Sequence, residues 1–303
     1  MGRVRLAINT EPSARIPLTS SPDAYVGTIG RGRPIYENDM RLAFFGGVYS
    51  NHLALAAAIA DARRRRVDLM ICLGDLGAFG PHPDRTCELI RENGILVVQG
   101  NYDHSIGHEL NDCHCGYTDP RDNHFAQLSY DYTLANTSDD HRAWMRTLPS
   151  QQRLEMDGVQ LLLCHGSPRR TNEFLWESTT SAQFLAKLCA DLECDLILGT
   201  HTGLHWQRTC LNSQGFINVG VLGRPENDGT TNVWYTILRS AGAGRSSLLW
   251  EVEFVPLAYD HERLAREMRN ERLPEEFIET ILTGWWTTCL EVLPSKERRR
   301  GRW

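Results

Sequence analysis

Residues 67–101 read VDLMICLGDLGAFGPHPDRTCELIRENGILVVQGN. An apolar run ends at Gly74-Asp75, a helix-patterned stretch over 84–93 follows, and a second apolar run ends at Gly100-Asn101. Short apolar runs joined by an amphipathic stretch read as parallel strands with a crossover helix, so the segment predicts an α/β fold. In sheets of this kind ligands gather beyond the carboxyl ends of strands. Asp75 and Asn101 stand at two such ends.

The same pattern extends outward. Leu42-Ala43-Phe44-Phe45 predicts a strand ending at Gly46-Gly47, and residues 51–65 a helix with Leu53, Leu55, Ala58, Ile59 and Ala62 on its buried face. Downstream, QLLLC runs into His165 and LILGT into His201. Residues 125–148 and 181–192 read as helical, 232–238 and 248–254 as strands, and 259–283 as two helices broken near Leu273-Pro274. Residues 1–40 carry Pro12, Pro17, Pro22 and Pro34 without sustained periodicity. The expected organisation is an extension over 1–40, a domain over 41–260 and a helical appendage over 261–303.

Composition narrows the function classes. The 303 residues are 41% hydrophobic and 23% charged, as in soluble globular proteins. A net charge of -6 argues against a general nucleic-acid binder. No apolar stretch is long enough for a membrane span, and the start of the chain lacks an apolar signal core. The nine cysteines are an odd number with several in strand-like runs, so reduced thiols in a cytoplasmic protein are expected. Arg63 to Arg66 reads as a solvated helix end.

Taken together, the strand-end motifs resemble the calcineurin-like metallophosphoesterase family, in its small bacterial phosphodiesterase-like branch. CLGDLGAFGPHPDRTCELI is similar to its Gly-Asp motif, VVQGNYDHSIG to its Gly-Asn motif, LLLCHGSP to its middle His motif, and FINVGVLGRPENDG to its late Asn-Gly loop. The likeness spans roughly residues 41–260. It implies an αββα sandwich, two mixed β-sheets flanked by helices, with metal at the meeting strand ends. It also implies a ligand set of Asp75, Asn101, His165 and His201. Two imidazoles, a carboxylate and an amide oxygen suit Mn, Fe(II) or Zn.

The departures from the family pattern fall together. The first motif, Asp-x-His followed by Asn, appears as GGVYSN, with Gly47 and Tyr49 at the metal positions and Asn51 kept. The last motif, Gly-His-x-His, appears as GTHTGLHW. One register places His201 and Gly203 at the pair; the other places Thr200 and Thr202 there. The first is preferred because WQR then falls on the family's next strand. In that register Gly47, Tyr49 and Gly203 have lost the second metal as a set, and a single divalent ion is expected.

Other residues carry further expectations. Tyr102 stands where relatives have a proton-donating His, with Asp103 beside it, and a Tyr can donate a hydrogen bond to a phosphoryl oxygen. Arg169, Arg170 and Arg224 are phosphate-binding candidates, since guanidinium forks suit phosphate. Asn51 is a further substrate-binding candidate. A Tyr49 phenolate on iron, His205 reaching the vacated place, and a zinc site from His104, His108, Cys113, His114 and Cys115 are weighed against plain space-filling, surface and loop roles. Trp285-Trp286 reads as core packing or a contact surface.

The functional expectation is hydrolysis of a small phosphorylated or nucleotide substrate. The alternatives are a non-catalytic relative that binds a phosphorylated ligand or protein, and a metal enzyme of another reaction type. A homo-oligomer is left open.

Overall fold

The computed structural model describes residues 4–7, 40–210, 213–240 and 250–298. In chain order the elements are β1 (Val4–Ala7), β2 (Arg41–Phe45), α1 (His52–Arg64), β3 (Leu69–Cys72), α2 (Pro83–Glu92), β4 (Leu96–Val97) and α3 (Asn101–Gly107). Then come α4 (Pro120–Ala135), α5 (Asp139–Met145), β5 (Gln151–Met156), β6 (Val159–Cys164), α6 (Ala182–Asp191), β7 (Leu196–Gly199), β8 (Trp206–Thr209) and β9 (Gly215–Asn218). The chain closes with β10 (Val233–Ser240), β11 (Trp250–Leu257), α7 (His261–Asn270), α8 (Glu275–Thr283) and α9 (Ser295–Arg298).

Two sheets form the centre. One has the order β11-β10-β2-β3-β4, the other β1-β5-β6-β7-β9-β8. Strands β2, β3 and β4 run parallel, as do β6, β7 and β9, with antiparallel strands at the flanks. Both sheets are therefore mixed, as the family resemblance implies.

Alternation along β2 shows how the layers form. Leu42 and Phe44 face the second sheet, packing with Ile71, Leu73, Leu161, Leu163 and Leu198. Ala43 and Phe45 face outward under α1, beside Leu55 and Ala58. A strand buried on both faces reads as a continuous apolar run, which is why LAFF and MICL lack polar alternation. On the far side α6 covers the second sheet through Leu185, Leu188 and Cys189.

Within residues 1–40, Val4–Ala7 adds an edge strand against β5; residues 8–39 lie outside the described residues. At the other end, α7 and α8 pack Leu264, Met268, Phe277 and Ile281 against Phe125 and Phe79. The segment after α8 then turns back over the strand ends. Among the described residues, no helix is long and apolar enough to cross a membrane.

Candidate metal centre

The strand ends β3, β6 and β7 deliver Asp75, His165 and His201 to one point. Their ligand atoms lie within 4.8 Å of one another, and all three residues are buried. His165 Nε2 is 3.2 Å from Asp75 Oδ2 and 3.2 Å from His201 Nδ1. This geometry selects the register with His201. Thr200 instead gives its hydroxyl to the Gly220 carbonyl, and Thr202 gives its own to Leu204.

Hydrogen bonds around the cluster set which atoms point inward. His165 Nδ1 donates to the Leu73 carbonyl oxygen, 2.6 Å away, which leaves Nε2 as the ring atom facing Asp75 and His201. Asp75 Oδ1 accepts from the Tyr102 amide. Asp103 accepts from the amides of Asp75 and Gly100 through Oδ2 and from Leu76 through Oδ1, at 2.8 to 2.9 Å. That carboxylate fixes the turn on which Asp75 holds φ 57°, and His201 is likewise left-handed at φ 69°. Sparsely populated backbone at a ligand cluster costs of order 1–3 kcal/mol per residue and persists where the surroundings enforce it.

The electrostatics match a cation site. Burial drives His201 down to about 3, with the His165 charge adding to the drop, so its imidazole is neutral. Burial opposes ionisation of Asp75, but His165 and His201 outweigh it and hold the carboxyl below its usual range. Burial and then Asp75 push Asp103 up to about 6. Two imidazole lone pairs and a carboxylate at 3.2 Å repel unless a proton or metal ion lies between them. In addition, Asn101 Oδ1 and His201 Nε2 are buried without a hydrogen-bond partner. Asn101 anchors itself through Nδ2 on the Cys113 carbonyl, 2.9 Å away, which leaves its oxygen as the unsatisfied atom. The residues present fit one divalent ion.

The space beside Gly47 and Gly203 is filled with side chains. A Cβ built on Gly47 would come within 2.6 Å of Tyr49 Cζ. One on Gly203 would meet the Trp286 ring at 3.1 Å and Arg224 Nη2 at 3.5 Å. Tyr49, Arg224 and Trp286 thus take the space that side chains at 47 and 203 would use. Tyr49 packs edge-on against Phe79, and burial raises its pKa above the usual tyrosine value.

The remaining candidates separate. Tyr102 is turned away from the cluster: its hydroxyl sits 3.0 Å from Ser129 Oγ and 3.3 Å from the Ala126 carbonyl. Proton donation to a substrate from there has no geometric basis, because the helix start at Gly100 directs the Tyr102 side chain into the core under α4. Arg169 is exposed and paired with Glu173, four residues on, so it does not reach the cluster. Arg170 is exposed on the same turn. Arg224 is buried. Asn51 caps α1 by accepting from Ala54, and its Nδ2 donates to the carbonyls of Leu222 and Gly223, tying the helix start to the loop that carries Arg224. His205 is bound to Glu226 at 2.7 Å and stacked on Trp234 and Phe254.

Cys113 and Cys115 are joined as a disulfide, in contrast to the reduced thiols expected. The intervening turn brings their Cα atoms to 5.3 Å, within reach of a bridge. That consumes both sulfurs of the expected zinc cluster, and the Asp75, His165 and His201 group is the one metal-competent group among the described residues. A cleft of about 360 Å³ opens beside Asn101, lined by Gln99, His104, His114, Ser150 and Asn172.

The sequence profile of the calcineurin-like phosphoesterase superfamily domain matches residues 40–239. The chain belongs to that superfamily. It is 24% identical over 260 residues to the uncharacterized protein MJ0912 of Methanocaldococcus jannaschii, covering 80% of this chain and 98% of that one. It resembles the crystal structure of a metallophosphoesterase from Sphaerobacter thermophilus at 25% identity and TM-score 0.61, over 82% of this chain and all of the other. The crystal structure of PH1004 from Pyrococcus horikoshii OT3 shares the fold at 18% identity and TM-score 0.65, over 82% and 100% of the two chains. The two mixed sheets flanked by helices are the architecture of that superfamily.

Proposed function

We propose that this phosphoesterase-superfamily chain hydrolyses a phosphoester or phosphoanhydride bond in a small phosphorylated molecule. One divalent ion (Mn, Fe(II) or Zn) would be held by Asp75, His165, His201 and Asn101. The observation that carries this reading is the 3.2 Å convergence of one carboxylate oxygen and two imidazole nitrogens, beside an unsatisfied Asn101 oxygen. The likeness to the Sphaerobacter metallophosphoesterase supports it.

Bound there, such an ion supplies Lewis acidity toward a phosphoryl oxygen and lowers the pKa of water. The chain's own residues position that chemistry. The Leu73 carbonyl fixes the His165 tautomer, Asp103 clamps the Asp75 turn, and the cleft beside Asn101 is the side from which a polar substrate would approach. Arg224 is the arginine best placed to meet the phosphate.

Elemental analysis of anaerobically purified protein tests the reading, followed by a phosphatase screen. About one metal per chain and turnover abolished by His165→Ala are expected. No metal after reconstitution with Mn, Fe and Zn would sink it. The enclosed ligand side chains, His165 at 0% exposure and Asp75 at 5%, favour a second reading in which a phosphorylated ligand is bound without turnover. One metal per chain with no activity across the screen would select that reading.

A further inference from the structure

We propose that the Arg224 guanidinium takes the place of the second metal: stacked in an aromatic cage, it supplies a fixed positive charge opposite the single ion, so that a tetrahedral oxyanion is gripped between the two. This rests on the single-ion reading above and adds to it the identity of the other half of the centre.

Position comes first. The missing side chains at 47 and 203 mark where the second ion's ligands would project. A Cβ at 203 would lie 3.5 Å from Arg224 Nη2 and 3.1 Å from the Trp286 ring; one at 47 would run into the Tyr49 ring. Arg224 stacks on Trp286 at 3.6 Å from the ring centre, with Phe79 at 5.0 Å and Tyr49 at 6.0 Å. Tyr49 joins the two sides: its ring lies 6.0 Å from the Arg224 guanidinium and its amide donates to the Asp75 carbonyl at 3.1 Å.

Charge comes second. Arg224 is only 5% exposed, and its Nε is buried without a hydrogen-bond partner. Among the described residues no carboxylate pairs with it. Arginines elsewhere pair with carboxylates, as Arg65 does with Asp61 and Glu253 and Arg169 with Glu173. A buried cation without an anion is costly, and aromatic faces offset only part of that cost. Five planar N–H donors with no carboxylate to receive them match an oxyanion as the missing partner. Arginine suits the role because its flat group stacks on an indole and stays charged at any working pH, as a metal ion would; lysine does neither as well. The same cation, with Tyr49 and Trp286, leaves neither charge nor space for a second ion.

The test uses the full-length protein. Mn binding to wild type would be followed by elemental analysis, and inorganic phosphate binding to the Mn-loaded chain by calorimetry at fixed ionic strength. Wild type, Arg224→Met and Arg224→Lys would be compared. The expected result is one Mn per chain in all three, with phosphate binding at least tenfold weaker in Arg224→Met and intermediate in Arg224→Lys. Phosphate affinity unchanged in a folded, Mn-loaded Arg224→Met overturns the proposal. Two Mn per wild-type chain also overturns it, and that measurement stands even if the methionine variant does not fold. A chain that takes up no metal fails the single-ion reading itself, whereas one Mn with phosphate binding indifferent to Arg224 fails this inference alone.

Discussion

The Arg224 guanidinium lies 3.6 Å from the centre of the Trp286 ring, and the Trp286 indole in turn donates to the Pro225 carbonyl at 2.6 Å. Residues some sixty positions apart in sequence thereby close one wall of the centre. The Trp286 amide adds a bond to Asn227 Oδ1, so the segment after α8 is stitched at two points to the loop just beyond the arginine. Trp286→Ala is expected to cost about 3–5 kcal/mol, since it opens a cavity and exposes a buried cation. Trp286→Phe keeps a ring for the cation and loses the indole bond, for about 1–2 kcal/mol. Urea unfolding checks the order; equal losses would mean the ring is not what holds Arg224.

Restoring one ligand of the lost site will not restore the site. In Gly47→Asp the new side chain meets the Tyr49 ring, and overpacking of this kind costs about 1–3 kcal/mol. Adding Tyr49→Ser should recover part of that loss, a non-additivity expected of residues in direct contact. Metal content should stay at one ion per chain in both variants, because Trp286 and Arg224 still fill the place beside Gly203. Thermal unfolding of the single and double variants, with elemental analysis, decides the point; strictly additive stabilities would count against the contact.

Asp103 holds the turn rather than touching substrate. Its two oxygens receive three backbone N–H groups. Asp103→Asn turns an N–H donor toward the Leu76 amide or toward the Asp75 and Gly100 amides. Leaving a buried donor unsatisfied costs about 1–3 kcal/mol. Because the same amides fix the left-handed Asp75, metal affinity should fall along with stability. A variant that loses stability but binds Mn as tightly as wild type would separate the turn from the site and refute this linkage.

How much of the site was legible follows from which forces set each residue. Asp75, Asn101 and His165 are announced by apolar runs that end in them, because strand ends in a parallel sheet all point one way. His201 is not, since GTHTGLHW admits two registers and only the 3.2 Å approach to His165 chooses between them. The arginines show the limit most clearly. Arg169 follows a ligand motif and Arg224 lies in a glycine-rich loop, yet Arg169 is drawn outward by a Glu one helical turn on, while Arg224 is drawn inward by Trp286 from the far end of the chain. A local pattern reveals neither pairing. The edge strand Val4–Ala7 is likewise invisible in sequence, because it is placed by the ladder to the distant β5 rather than by a local pattern.

A histidine remote from the ligand cluster gives the chain a specific acid sensitivity. His52 is buried at the start of α1, 3.3 Å from Glu267 and 3.5 Å from Arg85. Burial lowers its pKa to about 4; Glu267 opposes the drop, while Arg85, His82 and Arg263 add to it. In the unfolded chain the value returns to about 6.5. The folded pKa is thus the lower one, so the contribution to stability is present above pH 6.5 and is lost as pH falls toward 4. Between pH 7 and 5 the unfolded chain gains a proton at His52 that the folded chain refuses, for a loss on the order of 2 kcal/mol. His52→Gln removes the titration while keeping a polar side chain beside Glu267. Urea midpoints at pH 7 and pH 5 should therefore shift less in the variant than in wild type. If the two shift in parallel, the acid sensitivity arises elsewhere, and His52 is protonated without penalty in the folded chain.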